Sequence, residues 1–188
     1  MSEGGLEPRL ADGLLSVARF LPSPNCDPRP AGEVVSLVVI HAISLPPGEF
    51  GGDAVARLFT NCLDADAHPY YREIHHLRLS AHFFIDRVGS ITQFVPCGLR
   101  AWHAGVSSWR GRSRCNDFSI GIELEGCDDS AFTAAQYQAL EPLLQALQRH
   151  YPITDVVGHS DIAPGRKTDP GPHFDWQRLA TSMQASRE

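Results

Sequence analysis

The sequence has no excess of positive charge and no long apolar run. Its 188 residues include 16 basic and 22 acidic side chains, which give a formal net charge of −6 at pH 7. A basic surface of the kind that holds nucleic acid or an anionic membrane is therefore not expected. No apolar stretch approaches the roughly 18 residues that a membrane-spanning helix needs. We expect no nucleic-acid partner and no membrane partner.

Paired cysteine motifs are also missing. The chain has 5 cysteines, and no two of them form a C-x-x-C pair. This excludes a readable disulfide framework and a cysteine zinc knuckle. The first residues include Glu3 and Glu7, where a secretory signal would carry basic residues. These features predict a cytoplasmic protein, and the ordinary composition predicts a single domain over residues 1–188 with its core over about 33–180.

Hydrophobic patterning predicts strands and helices that interleave along the chain. The apolar, β-branched run 34–40 is typical of a strand buried on both faces. Alternation over 117–126 predicts a second strand, with Glu123 and Glu125 together on its polar side. This interleaving predicts an α/β or α+β fold, a sheet flanked by helices. The other expected segments are an extended proline-rich lead-in at 21–31, a helix after Asp53, a hairpin over 81–85 and 91–95, a helix that begins at a Thr133–Gln136 capping box, an apolar piece at 156–157, and a helix near 174–179.

Two histidines and an aspartate stand at positions suited to a metal site. His41 ends a buried strand, His159 follows the apolar piece at 156–157, and Asp169 lies in a turn-rich loop. Two imidazoles and a carboxylate form a zinc ligand set, and the open fourth position is typical of a catalytic site. Histidines at strand ends are also common as polar boundary residues. From the residues alone, two interpretations therefore stay open. The histidines either bind zinc or are structural residues of an ordinary domain.

Two further kinds of charged residue are candidates for catalysis. Lys167 is the only lysine among the 16 basic residues, and a compact positive charge suits a small developing oxyanion. A carboxylate beside a metal can serve as a general base, and either Glu123 or Glu125 could take this role. A solvated polar face is the alternative for both glutamates. Thiol catalysis by Cys115 or Cys127 is set aside, because small buried cysteines are far more common.

Six segments carry a resemblance to a known family. They read HAISLPPGEFG from residue 41, SAHF from 80, AWHAGVS from 101, CNDFSIGIELEG from 115, GHSDIAP from 158 and KTDPG from 167. Together they resemble the AmpD family of cytoplasmic anhydro-N-acetylmuramyl-L-alanine amidases, over about residues 22–176. One departure is Ala42, where the family usually has asparagine.

The resemblance implies a fold and a set of roles. The fold is a central mixed sheet with helices packed on it and a zinc cleft on one face, as in peptidoglycan recognition proteins. His41, His159 and Asp169 would bind Zn²⁺. Glu123, rather than Glu125, would be the catalytic acid and base, and Lys167 would stabilise the oxyanion. The substrate would be an anhydro-muropeptide, cut between the lactyl group of anhydro-N-acetylmuramic acid and L-alanine during peptidoglycan recycling.

Substrate contacts and competing functions complete the expectations. Arg78 and Arg114 match positions where the family places arginines near the cleft, and Trp102 could offer an apolar face to the sugar. His103 could line the site but is not expected to be a ligand. A muropeptide-binding module without activity is the alternative function, although such modules typically lose a metal ligand. An envelope amidase is not expected, because it would need an export signal and the first residues, with Glu3 and Glu7, do not resemble one.

Overall fold

The computed structural model describes residues 8–185 and the side chains up to residue 180, so the acidic segment 1–7 lies outside the described residues. Across residues 8–185, no helix combines the length and apolar character needed to cross a bilayer. The strands are β1 Leu10–Ala11, β2 Leu14–Leu15, β3 Arg19–Phe20, β4 Cys26–Pro28, β5 Leu37–Ile43, β6 Phe83–Ile85, β7 Ile91–Gln93, β8 Leu99–Ala101, β9 Ser108–Trp109, β10 Arg112–Ser113, β11 Ser119–Glu125 and β12 Asp155–Gly158. The helices are α1 Ala54–Phe59, α2 Pro69–Ile74, α3 Ala134–His150, α4 His159–Ile162 and α5 Trp176–Ala185, with a 3-10 turn at Cys115–Asp117.

Within the described part of the chain, six strands form a central mixed sheet in the order β12-β5-β11-β6-β7-β3. β12, β5, β11 and β6 run parallel, β7 returns antiparallel to β6, and β3 lies parallel to β7. The predicted hairpin is therefore the β6–β7 pair. The expected α+β architecture, a mixed sheet flanked by helices, is confirmed.

One face of the sheet packs on α3. Ile120, Ile122 and Leu124 of β11 point to this face, and each is fully buried in a cluster with the leucines of the helix. Burying an aliphatic side chain of this size contributes about 1.5 to 3 kcal/mol. The side chain of Thr133 accepts the Gln136 N–H, and the Gln136 side chain accepts the Thr133 N–H. This is the predicted capping box, which satisfies two amide groups at the start of α3.

The opposite face of the sheet is also buried, so the solvated-face interpretation of β11 is wrong. All seven residues of the strand are buried, including Glu123 at 8% exposure and Glu125 at 4%. The side chain of His103, from a loop, packs against this face at Gly121. Residues distant in sequence provide this cover, and the alternation of a single strand carries no information about them.

Several predicted boundaries shift. β5 continues to Ile43, so His41 lies inside the strand and not at its end. The last helix begins at Trp176, while Phe174 is a buried core residue that precedes it. The proline-rich lead-in is extended as predicted, and its Cys26–Pro28 segment pairs with β8.

Candidate metal centre and cleft

Strand register brings the candidate residues together near the carboxyl ends of the parallel strands. Glu123 of β11 is the register partner of His41 of β5. β12 pairs Gly158 with Ile40, and His159 follows as the first residue of α4. Paired positions of neighbouring strands send their side chains to the same face. Carboxyl ends of parallel strands are common ligand sites in sheets of this kind.

The loop that carries Asp169 is fastened to the start of α4. The Ser160 N–H donates to the carbonyl oxygen of Asp169 at 2.9 Å. Gly158 permits a close approach on the other side, because a Cβ there would lie 2.8 Å from Cδ of Pro170. These contacts bring the Asp169 carboxylate to His159 and His41.

The three candidate ligand atoms form a small triangle. His41 Nδ1 lies 3.0 Å from His159 Nδ1 and 3.2 Å from Asp169 Oδ2, and His159 Nδ1 lies 3.1 Å from the same oxygen. Ligand atoms of a tetrahedral zinc site with bonds of about 2.0 to 2.1 Å stand about 3.3 to 3.4 Å apart. The triangle therefore has the dimensions and the donor chemistry to hold a metal ion.

The protonation states of His41 and Asp169 suit the binding of a cation. His41 is 1% exposed, and burial lowers the pKa of its imidazole to about 4. Burial alone would raise the pKa of Asp169, but its contacts with His159 and His41 outweigh burial and hold that pKa below the usual range. A neutral imidazole and an ionised carboxylate are the forms that bind metals.

Each imidazole also has a partner at the ring nitrogen that points away from the triangle. His159 Nε2 lies 3.1 Å from the carbonyl oxygen of Ala104, and His41 Nε2 lies 2.9 Å from His103 Nδ1. If His159 Nδ1 binds a metal, the neutral ring carries its proton on Nε2 and donates it to this carbonyl oxygen. Contacts of this kind orient metal-binding histidines.

The two glutamates of β11 have different surroundings. The Glu125 carboxylate accepts the backbone N–H groups of Gly51 and Arg87, so it ties two loops to the sheet. Glu123 Oε2 is buried and has no hydrogen-bond partner among the residues that the structure describes. Of the two glutamates, it is therefore Glu123 that has an acceptor oxygen available beside the triangle.

Glu123 is also a stronger base than an ordinary carboxylate. Burial raises its pKa well above the usual value, the negative charge of Asp169 raises it further, and the positive charge of Lys167 opposes both. A carboxyl group with a raised pKa is suited to accept a proton and to return it. The Lys167 side chain is exposed, and its charge also lowers the pKa of His41. The ammonium group therefore acts electrostatically on this site.

A cavity of about 500 Å³ opens above these residues. Its volume is in the range of small-molecule sites. The triangle, Glu123 and Lys167 line its polar part. The apolar and aromatic wall includes Leu45, Leu58, Tyr70, Ile74, Leu77, Leu79 and Trp102. This arrangement can take a ligand that has both an apolar surface and a polar bond to be cut.

The profile of the N-acetylmuramoyl-L-alanine amidase family matches residues 31–172, a range that contains the triangle, Glu123 and Lys167. The chain belongs to this amidase family. It is 58% identical over 179 residues to the 1,6-anhydro-N-acetylmuramyl-L-alanine amidase AmpD of Citrobacter freundii, covering 94% of this chain and 96% of that protein.

Solved structures of amidases support the same assignment. The crystal structure of a selenomethionine AmpD derivative matches with a TM-score of 0.90 and 58% identity, over 92% of this chain and 98% of that one. AmiD of Escherichia coli, solved with anhydro-N-acetylmuramic acid-L-Ala-D-γ-Glu-L-Lys, matches with a TM-score of 0.60 and 31% identity, over 94% of this chain and 66% of that one. The family resemblance expected from the motifs is confirmed.

The predicted substrate-binding residues of this amidase lie in different environments. Trp102 lines the cavity, and its Nε1–H donates to Asp27 Oδ1 at 3.3 Å. Arg78 donates to the carbonyl oxygen of His76 at 3.1 Å, and Arg114 Nε lies 3.1 Å from a carboxylate oxygen of Asp117. Neither arginine is among the described residues that line the cavity. Their roles stay predictions.

Two residues of α2 at the amidase site were not expected from the sequence, and His103 was expected only to line the site. Tyr70 and Ile74 line the cavity from α2, and the pattern of so short a helix does not show which way it faces. His103 contacts His41 directly. The signal for this contact is Gly121 in the middle of β11, because a glycine inside a strand often marks a close approach.

Proposed function

We propose that this amidase hydrolyses the amide bond between the lactyl group of 1,6-anhydro-N-acetylmuramic acid and L-alanine of the stem peptide. The proposal includes a zinc cofactor and a cytoplasmic role in peptidoglycan recycling. Residues 1–188 would form a single zinc amidase domain with its catalytic core over about 33–180. The observation that carries the proposal is the triangle of His41, His159 and Asp169 with a buried Glu123 carboxyl oxygen beside it that has no hydrogen-bond partner in the described part of the chain.

The donor set supports zinc as the metal. Two imidazole nitrogens and one carboxylate oxygen, with the fourth position open, are typical of catalytic zinc sites. His41, His159 and Asp169 would hold the ion. When bound, zinc polarises a carbonyl group and lowers the pKa of a coordinated water towards about 7.

Glu123 would carry the proton through the reaction. Its free oxygen accepts a proton from the attacking water while the water oxygen bonds to the amide carbon. The same carboxyl group then delivers this proton to the alanine nitrogen as the carbon–nitrogen bond breaks. The products are the lactyl carboxylate of the anhydro-sugar and a peptide with a free amino group. No covalent bond to the enzyme forms at any stage.

Lys167 would stabilise the negative charge that develops on the carbonyl oxygen. Its charge already lowers the pKa values of Glu123 and His41, so its field reaches the reacting groups. A positive charge placed where negative charge develops lowers the barrier more than one that acts on the ground state. Trp102 would contact the sugar, and Arg78 and Arg114 would contact carboxylates or carbonyls of the peptide.

The first test measures metal content and turnover together. Purified protein is analysed for zinc, and the release of an L-alanine peptide from an anhydro-muropeptide is followed by chromatography. The wild-type protein should hold about one zinc per chain and release peptide. Asp169→Ala should lose the zinc, whereas Glu123→Gln should keep it and lose turnover by about 100-fold or more.

Two controls separate this function from its alternatives. Glu125→Gln changes the other glutamate of β11 and should retain turnover far better than Glu123→Gln. Zinc binding without peptide release would instead indicate a muropeptide-binding module. If the wild-type protein neither binds zinc nor releases peptide, the proposed amidase function is refuted.

A further inference from the structure

The turn at residues 103–106 lies against both histidines of the triangle and is held from two sides. The side-chain oxygen of Asn116 accepts the N–H groups of His103 and Ala104, at 3.1 and 2.8 Å. On the other side, Arg166 Nη2 donates to the carbonyl oxygens of Ala104 and Val106, at 2.8 and 2.7 Å. The turn therefore has a fixed position relative to the sheet.

His103 stands between His41 and a buried serine. Its Nδ1 lies 2.9 Å from His41 Nε2, and its Nε2 lies 3.2 Å from Oγ of Ser119, which has no exposed surface. The ring sits directly over Gly121, where a Cβ would come within 2.6 Å of Nδ1 and 2.7 Å of Cδ2. The sheet thus has space for this ring only because residue 121 has no side chain.

The direction of these hydrogen bonds follows from the ligand role of His41. If Nδ1 of His41 binds a metal, the neutral ring carries its proton on Nε2, so His103 Nδ1 must accept that proton. His103 then carries its own proton on Nε2 and donates it to the Ser119 hydroxyl oxygen. Each imidazole has one tautomer that satisfies every contact.

We propose that His103 is a positioning residue that holds His41 in the ring orientation and tautomer needed to bind the metal, with Ser119 holding His103 in turn. The inference rests on the proposed function, because it assigns this chain's own support for the zinc ligands. His103 does not reach the ligand triangle itself. Its effect therefore falls on metal affinity rather than on a proton-transfer step.

A matched pair of substitutions tests the hydrogen bond apart from the packing. Asparagine and leucine have nearly the same shape, but only asparagine has an oxygen at the place of Nδ1. His103→Leu should weaken zinc binding by about 10- to 100-fold, the usual effect of losing a partner of a metal-binding histidine. His103→Asn should stay within about threefold of wild type. Zinc dissociation constants are measured by competition with a chelator, and urea unfolding of the metal-free proteins reports any loss of folding.

Ser119→Ala provides a second and independent measurement. It should weaken zinc binding several-fold in the wild-type background and have no further effect in His103→Leu, because its influence passes through His103. In zinc-loaded wild type, long-range ¹H–¹⁵N spectra should show His41 protonated at Nε2.

The outcomes separate this inference from the proposed function. If wild type binds no zinc, both are overturned. If wild type binds zinc and His103→Leu binds it equally well, only the positioning role is overturned. Equal losses of affinity in His103→Leu and His103→Asn would also overturn it, because the shared change would then be the loss of the ring and not of the acceptor.

Discussion

Replacing Gly121 with alanine should lower the free energy of unfolding of the metal-free protein by about 2 to 5 kcal/mol. The new Cβ would lie 2.6 Å from His103 Nδ1, far inside the roughly 3.5 Å of an ordinary contact. Overpacking of this kind costs about 1 to 3 kcal/mol. Displacing the ring also breaks its contacts with His41 and Ser119, at about 1 kcal/mol each. The lower chain entropy of alanine in the unfolded state returns about 0.4 to 1 kcal/mol.

The assay is urea unfolding with a chelator present, so that metal binding does not contribute to stability. Gly98→Ala is the matched control, because a Cβ at Gly98 meets no atom within 4 Å. Gly98→Ala should be neutral or slightly stabilising. If Gly121→Ala unfolds at the same urea concentration as wild type, the ring does not depend on this space. That result would refute the close packing of His103 on Gly121.

Two further predictions concern an ion pair and a buried thiol. Arg100 binds both carboxylate oxygens of Asp27, at 2.7 and 2.6 Å, and also Asp117. Lysine cannot form this fork, so Arg100→Lys should lower the free energy of unfolding, measured in urea, by about 1 kcal/mol. Arg110 is the control, because its side chain is 70% exposed, and Arg110→Lys should change the free energy of unfolding little. Equal effects of the two substitutions would contradict the prediction. Burial raises the pKa of the Cys97 thiol to about 12 from an ordinary 9.0, so its contribution to stability is complete below about pH 9 and declines as pH rises towards 12. Between pH 8 and pH 10, the free energy of unfolding of wild type should therefore fall by about 1 kcal/mol more than that of Cys97→Ala. If the two proteins lose stability in parallel, the Cys97 thiol is not the cause.

Elements defined by local signals could be predicted from the sequence. The capping box at Thr133 and Gln136 sets the start of α3, because both hydrogen bonds join residues three apart. The β6–β7 hairpin follows from two apolar segments around a turn. His41, His159 and Asp169 could be named as a ligand set from their chemistry and the family resemblance, before any distance was known.

Features that depend on distant residues could not be predicted in this way. The burial of Glu123 and Glu125 depends on loops that cover the second face of the sheet, and strand alternation describes only the strand itself. The short strand β4 exists because β8, about seventy residues later in the chain, pairs with it. The position of the His103 ring depends on Gly121 of β11, 18 residues later in the chain. These features depend on tertiary contacts and not on local propensity.

The hydrophobic pattern of β11 also determines where the candidate base points. Ile120, Ile122 and Leu124 bury against α3, and this fixes the face on which Glu123 emerges beside its register partner His41. A slip of one residue would turn the apolar side chains away from α3 and move Glu123 into the apolar cluster against α3, away from His41. The register that maximises apolar burial is therefore the one that assembles the site. Because folding and the proposed function require the same register, the core leucines of α3 help to set the position of Glu123, the candidate base.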